Sequence, residues 1–468
     1  MPGLAYQAIV LAGGDDKRLY PLTTGTVKAL LPVANRPLLS YPLKSLADAG
    51  LKHVFVVVSG EKPAASIQAW INQEYSGADK MQCEVVTVAE EHGTADALRA
   101  VASRITARTC VVMSGDLLAD VPVNTLVAGH QLNGSLATVL LFKRKVSPTT
   151  QTKPGKAPKN VDYIGLDPSR QHLLFYASSP EAVRDLRVPL PLVRRHGAMT
   201  IASDLSDAHL YVFNRSVLSL LHAQPNLSSL RQDLLPFLTQ QQLRLRPPQE
   251  ADAGAAAEAG AAPGSSTGAA SGAEGDGEGG SEARFQVSTA LPGADYMELS
   301  HGEVQGQEST LRVQIVAQGV NYCARVSDVE SYGEVCREVA DPGVALHLSG
   351  LKPGKFDNVV PPSVTIGAKS TIAAGCILGE QCALGDKSSI KRSVLGAGCK
   401  LGANVKIINS VLNDNVVVGD GCTIQNTIIC AGAVVKERVT LKECQIGPGF
   451  SVSAGVEHKG EVLCKSKA

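Results

Sequence analysis

The 468-residue chain lacks net charge: 44 lysines and arginines balance 44 aspartates and glutamates. No overall field therefore draws it to nucleic acid or to an anionic membrane surface, and a partner of either kind would need a local patch. It also lacks any run near the roughly 18 apolar residues of a membrane span. The start, MPGLAYQAIVLAGG, has no basic n-region, no long apolar h-region and no glycine at position 2. The expected compartment is the cytosol, with no membrane and no direct nucleic-acid partner. Among 11 cysteines there is no C-x-x-C pair. Six of them, Cys376, Cys382, Cys399, Cys422, Cys430 and Cys444, fall in one C-terminal region at repeat-like spacing. They read as small buried hydrophobes in a reducing compartment, because zinc sites favour close pairs. Between residues 361 and 468 the only histidine is His458, so the positioned base of an acyltransferase is missing. No metal and no cofactor are expected.

What is present is ample apolar material, 44% of the chain, enough for two or three domains. Continuous apolar runs at 54–58, 85–88, 110–113 and 137–141 mark strands buried on both faces. Helical spacing at 38–49, 64–73 and 94–105 alternates with them, and this order implies a doubly wound α/β sheet. Ligands on such sheets sit beyond the carboxyl ends of the strands, where the loop after Leu11 and the Ser114-Gly115-Asp116 turn fall. Residues 247–283 then contain no large apolar side chain and much Ala, Gly, Ser and Glu, which predicts a disordered insertion. Strand character returns at 311–316 and a helix is expected near 332–339.

From residue 361 the pattern changes. Ile366, Ile372, Leu378, Leu384 and Ile390 step by six, and from Leu378 steps of six, six and five build a 17-residue period. Leu395, Leu412, Ile429 and Ile446 fall in register. Each hexad supplies a short strand and a turn, three make a triangular coil, and the inward aliphatics stack. This resembles the left-handed parallel β-helix of hexapeptide-repeat proteins. The charged tail, Glu457, His458, Lys459 and Lys465, is expected to cap the last coil. The expected organisation is an α/β, doubly wound, Rossmann-like domain over 1–345, a linker over 346–360, and a left-handed parallel β-helix over 361–468.

The segment 11–39, LAGGDDKRLYPLTTGTVKALLPVANRPLL, opens with a strand feeding a Gly-Gly turn. Gly13 and Gly14 suit close backbone approach to a phosphate, and Arg18 and Lys28 are cations at useful spacing. The segment resembles the signature of nucleotidyltransferases that join a sugar 1-phosphate to a nucleoside triphosphate, G-G-x-G-x-R-L-x-P-L-T, then P-K, then L-P-V. Asp16 stands at the third glycine and Val27 at the proline before Lys28. Glu91 to Leu98, with Gly93 and Thr94, resembles the E-x-x-G-T-A-G-A-L segment near base and sugar, with Asp96 at the last glycine. Ser114-Gly115-Asp116 matches the family's L-G-D turn, which by resemblance makes Asp116 the first metal carboxylate. The second lies in W-x-D-I-G-T-P-x-x-Y, and the matching stretch here, Cys323 to Tyr332, carries Arg325 in its place. A cation about 4 Å from a metal repels it by roughly 4 kcal/mol per unit charge at an effective dielectric near 20. Asp328, three residues on, is the alternative ligand. With Asp15 and Asp16 opposing a triphosphate, Arg18 and Lys28 are expected to pair with Asp15, Asp16 or Asp116. His209 is expected to be a packed strand residue.

Together with Gly93 to Arg99, Asp207 to Tyr211, Ser229 to Pro236 and Ser388 to Gly396, these features resemble the gamma subunits of eukaryotic translation initiation factor 2B. The resemblance spans nearly the whole chain except the Ala/Gly-rich insertion. It implies a non-catalytic subunit of the complex that exchanges GDP for GTP on initiation factor 2. It also implies an epsilon-type partner contacted through both domains, and alpha, beta and delta subunits in a decamer. The exchange activity belongs to a helical domain after the β-helix of epsilon, a domain not expected here. Two other readings stand beside it: an active pyrophosphorylase making GDP-mannose or ADP-glucose, and a subunit that senses a nucleotide or sugar nucleotide without turning it over.

Overall fold

The computed structural model describes residues 6–144, 161–244 and 310–465, apart from residue 15 and short stretches within 76–79, 179–197 and 317–319. The insertion expected over 247–283 lies outside the described residues.

Seven strands form the first sheet: β1 (Tyr6–Leu11), β2 (His53–Ser59), β3 (Gln82–Val88), β4 (Thr109–Ser114), β6 (Ala137–Lys143), β7 (Leu205–Asn214) and β8 (Leu311–Ile315), in the order β8-β6-β7-β4-β1-β2-β3. Beside it a short two-stranded antiparallel sheet pairs β5 (Leu117–Ala119) with β9 (Cys323–Arg325). Helices cover both faces, as runs of buried strand residues require. On one side lie α1 (Ser40–Asp48), α2 (Glu61–Glu74) and α4 (Val123–Leu132), and on the other α3 (Thr94–Val101), α5 (Arg215–Ala223) and α6 (Leu235–Arg244). β1 runs parallel to both β2 and β4, so the chain leaves it at the point where strand order reverses.

Two features depart from the expectation of buried parallel strands. β7 is antiparallel to both β4 and β6, a direction that its apolar run does not encode. β3 is an edge strand with Gln82, Glu84 and Thr87 exposed, so its Val85–Val88 run is buried on one face rather than two.

The C-terminal region is a coil of three parallel six-stranded sheets. Leu378, Leu395, Leu412, Ile429, Ile446 and Leu463 pair in sequence along one sheet. One buried cluster fills the lumen, including Cys376, Cys382, Cys399, Cys422 and Cys444, all free thiols. At the corners the backbone turns through positive φ, for instance at Asn404 (59°), Asn415 (58°) and Asn426 (48°). Asn tolerates this left-handed region better than other side chains, which lets a short strand turn the corner without a long loop. Two expectations are corrected at the ends of this coil. Ile366 is 50% exposed, because the first coil has no rung beneath it. The tail does not merely cap the coil: Glu457–Lys459 and Val462–Leu463 add two further strands to it.

The two regions share a core. Helix α7 (Val329–Ala340) buries Val329, Tyr332, Val335, Cys336 and Val339 along one face. That face lies on Ile377, Val394, Val411 and Ile428, which point outward from four successive coils yet are at most 7% exposed. Each such aliphatic contributes roughly 1.5–3 kcal/mol when removed from water. α8 (Leu346–Ser349) follows, and the chain enters the β-helix.

Candidate functional site

The topology brings the two loops of interest together. Ser114 at the end of β4 pairs with Leu11 at the end of β1, and the Gly115 amide donates to the Leu11 carbonyl at 2.8 Å. Asp116 therefore sits beside the start of the signature loop. It is 4% exposed. The antiparallel β5–β9 pair sets Arg325 opposite Leu117, one residue beyond Asp116.

The guanidinium of Arg325 grips Asp116 with both arms: Nε donates to Oδ1 and Nη2 to Oδ2, each at 3.0 Å. Lys28 Nζ donates to Oδ2 at 2.6 Å, and Ser114 Oγ donates to Oδ1 at 2.7 Å. A carboxylate offers about four lone-pair positions, and here each oxygen receives two donors. Burial pushes the Asp116 pKa up, but the charges and hydrogen bonds of Arg325 and Lys28 outweigh it and hold the group well below the usual carboxylate range. The acceptor positions of Asp116 are thus filled by two of the protein's own cations and the Ser114 hydroxyl.

Other signature residues lie around this lock. Gly13 packs against the end of β2, where a Cβ would come within 2.4 Å of Ser59 Oγ, so a side chain is excluded by close approach. Gly14 and Arg18 are exposed, and Arg18, on the 3-10 turn Asp16–Leu19, is not one of the four donors to Asp116 described above. Val27, which replaces the proline before Lys28, has φ −71° and ψ 140°, values proline itself would take. Asp15, one of the partners considered for Arg18 and Lys28, lies outside the described residues. Between Gly13, Lys28, Ser114 and Asp116 about 10 Å³ of space remains, about the room for one water.

The segment around Gly93 to Asp96 is tied down as firmly. Asp96 Oδ2 accepts from the Gly93 amide at 3.0 Å and from Ser228 Oγ at 2.7 Å, while Oδ1 pairs with Arg99. Burial raises its pKa, but these donors together lower it. Arg99 also donates to the carbonyls of Leu221, Gln224 and Leu227. Thr94 Oγ1 accepts from the Leu230 amide at 2.8 Å, and a Cβ on Gly93 would lie 2.3 Å from the Ser228 carbonyl oxygen. The strand of chain 228–230 therefore lies directly on Gly93 and Thr94. Sequence reasoning missed Ser228 and Arg99 as partners of Asp96. The available signal was the acidic residue three places into α3, in the position that caps a helix.

Asp328, the alternative metal ligand, is committed elsewhere: it caps α7, accepting from the Ser331 amide at 2.8 Å while Ser331 Oγ accepts from its own amide at 3.0 Å. His209 is in β7, but at a bulge with φ 54°. Its Nε2 is buried without a hydrogen-bond partner among the described residues. Burial and the nearby Arg325 charge lower its pKa well below the ordinary value, so the ring is neutral. Its amide donates to Asp207 Oδ1 at 2.8 Å, and the Tyr211 hydroxyl donates to Oδ2 at 2.5 Å. A cavity of about 300 Å³ lies apart from all of these, its wall including Lys44, Asp48, Asp120, Asn124 and His347.

With this geometry in place, two family models match the chain: nucleotidyl transferase over residues 7–152, and the EIF2B subunit epsilon LbH domain over 359–458. Their order matches the sheet and the coil described above. Translation initiation factor eIF2B subunit gamma of Schizosaccharomyces pombe is 28% identical over 392 residues, 83% of this chain and 74% of that one. The chain resembles eIF2B gamma subunits. The Dictyostelium discoideum eIF2B subunit gamma is 24% identical over 83% of this chain and 87% of its own length. Mannose-1-phosphate guanylyltransferase catalytic subunit beta of Drosophila pseudoobscura pseudoobscura is 27% identical over 51% of this chain and 56% of its own. The likeness to eIF2B gamma thus reaches across both regions, whereas the guanylyltransferase match covers about half of this chain. Among the described residues no helix is long and apolar enough to cross a membrane.

Proposed function

We propose that this chain is a non-catalytic subunit of the complex that exchanges GDP for GTP on translation initiation factor 2. It works in the cytosol through its surfaces, with an epsilon-type subunit as first partner and alpha, beta and delta subunits in the same assembly. The likeness to eIF2B gamma subunits supports the complex. The observation that carries the non-catalytic part is the bidentate Arg325–Asp116 pair, reinforced by Lys28 and Ser114. Metal-assisted nucleotidyl transfer needs open carboxylate oxygens on which a divalent cation can polarise the α-phosphate. Here every acceptor position of Asp116 is taken.

The direct test is pyrophosphate exchange with GDP-mannose, ADP-glucose and Mg²⁺. No exchange above the protein-free control is expected. Turnover that disappears in Asp116→Ala would overturn the reading in favour of an active pyrophosphorylase, the alternative that the guanylyltransferase relative supports. Purification from native cytosol tests the other half, and recovery without an epsilon-type subunit would count against it. A nucleotide-sensing role rests on the exposed Arg18 beside the Gly13-Gly14 turn. Calorimetry with GTP, ATP and GDP-mannose decides it, and a flat titration retires it.

A further inference from the structure

The part of the signature that the Asp116 cluster does not use is the part bonded to the β-helix. Asn35, at φ 60° in the turn after Leu-Leu-Pro-Val, donates from Nδ2 to the Leu395 carbonyl at 2.9 Å. The Tyr332 hydroxyl lies 2.7 Å from the Pro32 carbonyl and 3.1 Å from Asn413 Oδ1, so its single proton is shared between signature and coil. Arg337, one turn further along α7, donates to the Asn409 carbonyl at 3.2 Å. At the other end of the segment the Tyr20 hydroxyl sits 2.8 Å from Cys464 Sγ in the last coil. Arg36 holds the Ser349 carbonyl where α8 leads into the β-helix.

We infer that residues 20–36, inherited as a triphosphate loop and its flank, act as a rigid bracket that sets the orientation of the β-helix on the α/β domain. Spacing is the reason. Leu395 and Leu463, the residue before Cys464, are four rungs apart in one sheet, and rungs repeat at about 4.8 Å, so the contacts span roughly 19 Å of the coil axis. A single contact is a pivot; contacts at both ends of a 19 Å lever, about four rungs at this spacing, oppose rocking. The apolar outward row Ile377, Val394, Val411 and Ile428, which begins one rung before Leu395 and stops two rungs short of Leu463, is buried against α7, and close packing there leaves no room to slide. This positioning role is independent of which complex the chain joins.

The test is a distance distribution by pulsed electron resonance, with spin labels carried on unnatural amino acids at Ser66 and Lys400, both exposed. The unaltered chain should give one narrow distance. Tyr20→Phe, Asn35→Ala and Tyr332→Phe combined should at least double its width, while Arg18→Ala leaves it unchanged. Should the triple variant fail to fold, Tyr332→Phe and Asn35→Ala are read singly, each with a smaller broadening. A broad distribution in the unaltered chain, an unchanged width in every bracket variant, or equal broadening from Arg18→Ala would overturn the inference.

Discussion

The two halves of one motif have gone different ways. In residues 11–28 the phosphate-loop features survive as chemistry turned inward: Lys28 neutralises a carboxylate that Arg325 and Ser114 also hold. In residues 29–39 the features survive as packing, with Leu31, Val33, Leu38 and Leu39 fully buried and Pro32 and Asn35 bonded outward to α7 and the coil. The polar half hangs on a few donors to one carboxylate, so a change at one partner alters the whole cluster. A packing site keeps its residues because each touches many neighbours.

That contrast can be broken most severely at Arg325. Arg325→Ala leaves the Asp116 carboxylate buried with Lys28 as its one remaining cation, and losing a partner from a buried pair costs about 3–5 kcal/mol. Urea denaturation should show a midpoint shift of that size, and a loss under 1 kcal/mol would mean the lock is loose. Behind it, Asp207 tests the same polar region through pH. Burial lifts its pKa to about 6 despite the Tyr211 hydroxyl, the His209 amide and Arg325, whereas an unfolded aspartate titrates near about 3.9. The folded chain therefore holds the extra proton between those values. Stability from this residue is fully present below about pH 4 and is lost as pH rises through 6, a difference on the order of 2–3 kcal/mol. Asp207→Asn should flatten that limb of the stability profile; an unchanged profile would place the titration elsewhere.

The packing half should respond less. Tyr332→Phe keeps the ring but strips the Pro32 carbonyl and Asn413 Oδ1 of their shared donor, which costs about 1–3 kcal/mol. Thermal unfolding should register it, and a larger loss than that of Arg325→Ala would reverse the ranking of the two halves. Asp96→Gly restores the residue the nucleotidyltransferase pattern carries. It removes the helix cap at Gly93 and the bonds to Ser228 and Arg99, and about 1–2 kcal/mol is expected to go with the cap. Faster proteolysis or hydrogen exchange at 224–230 would locate the change, and protection there equal to the unaltered chain would show that Asp96 does not hold the segment down.

Much of this was legible in the residues. The 17-residue period placed every rung from Leu378 to Ile446, because a stacked coil repeats one local instruction. The runs 54–58, 110–113 and 137–141 marked central strands, since a strand covered on both faces needs apolar side chains throughout. Harder to read were the direction of β7 and the edge position of β3, which depend on neighbours distant in the chain. The tail misled because Glu457, His458 and Lys459 look like a solvated end, yet a terminal rung needs only its inward positions satisfied.

The chain's order of residues determined the sheet, the coil and the presence of Arg325 in the stretch that resembles the second-carboxylate segment, all local or periodic facts. Only the tertiary structure decided that Arg325 meets Asp116 with both arms, across 209 positions. It likewise decided that Pro32 and Asn35 reach the coil through Tyr332 and Leu395. The physical reason is common to both: a hydrogen bond between distant residues is set by where strands and helices pack, and packing is settled by the whole core at once.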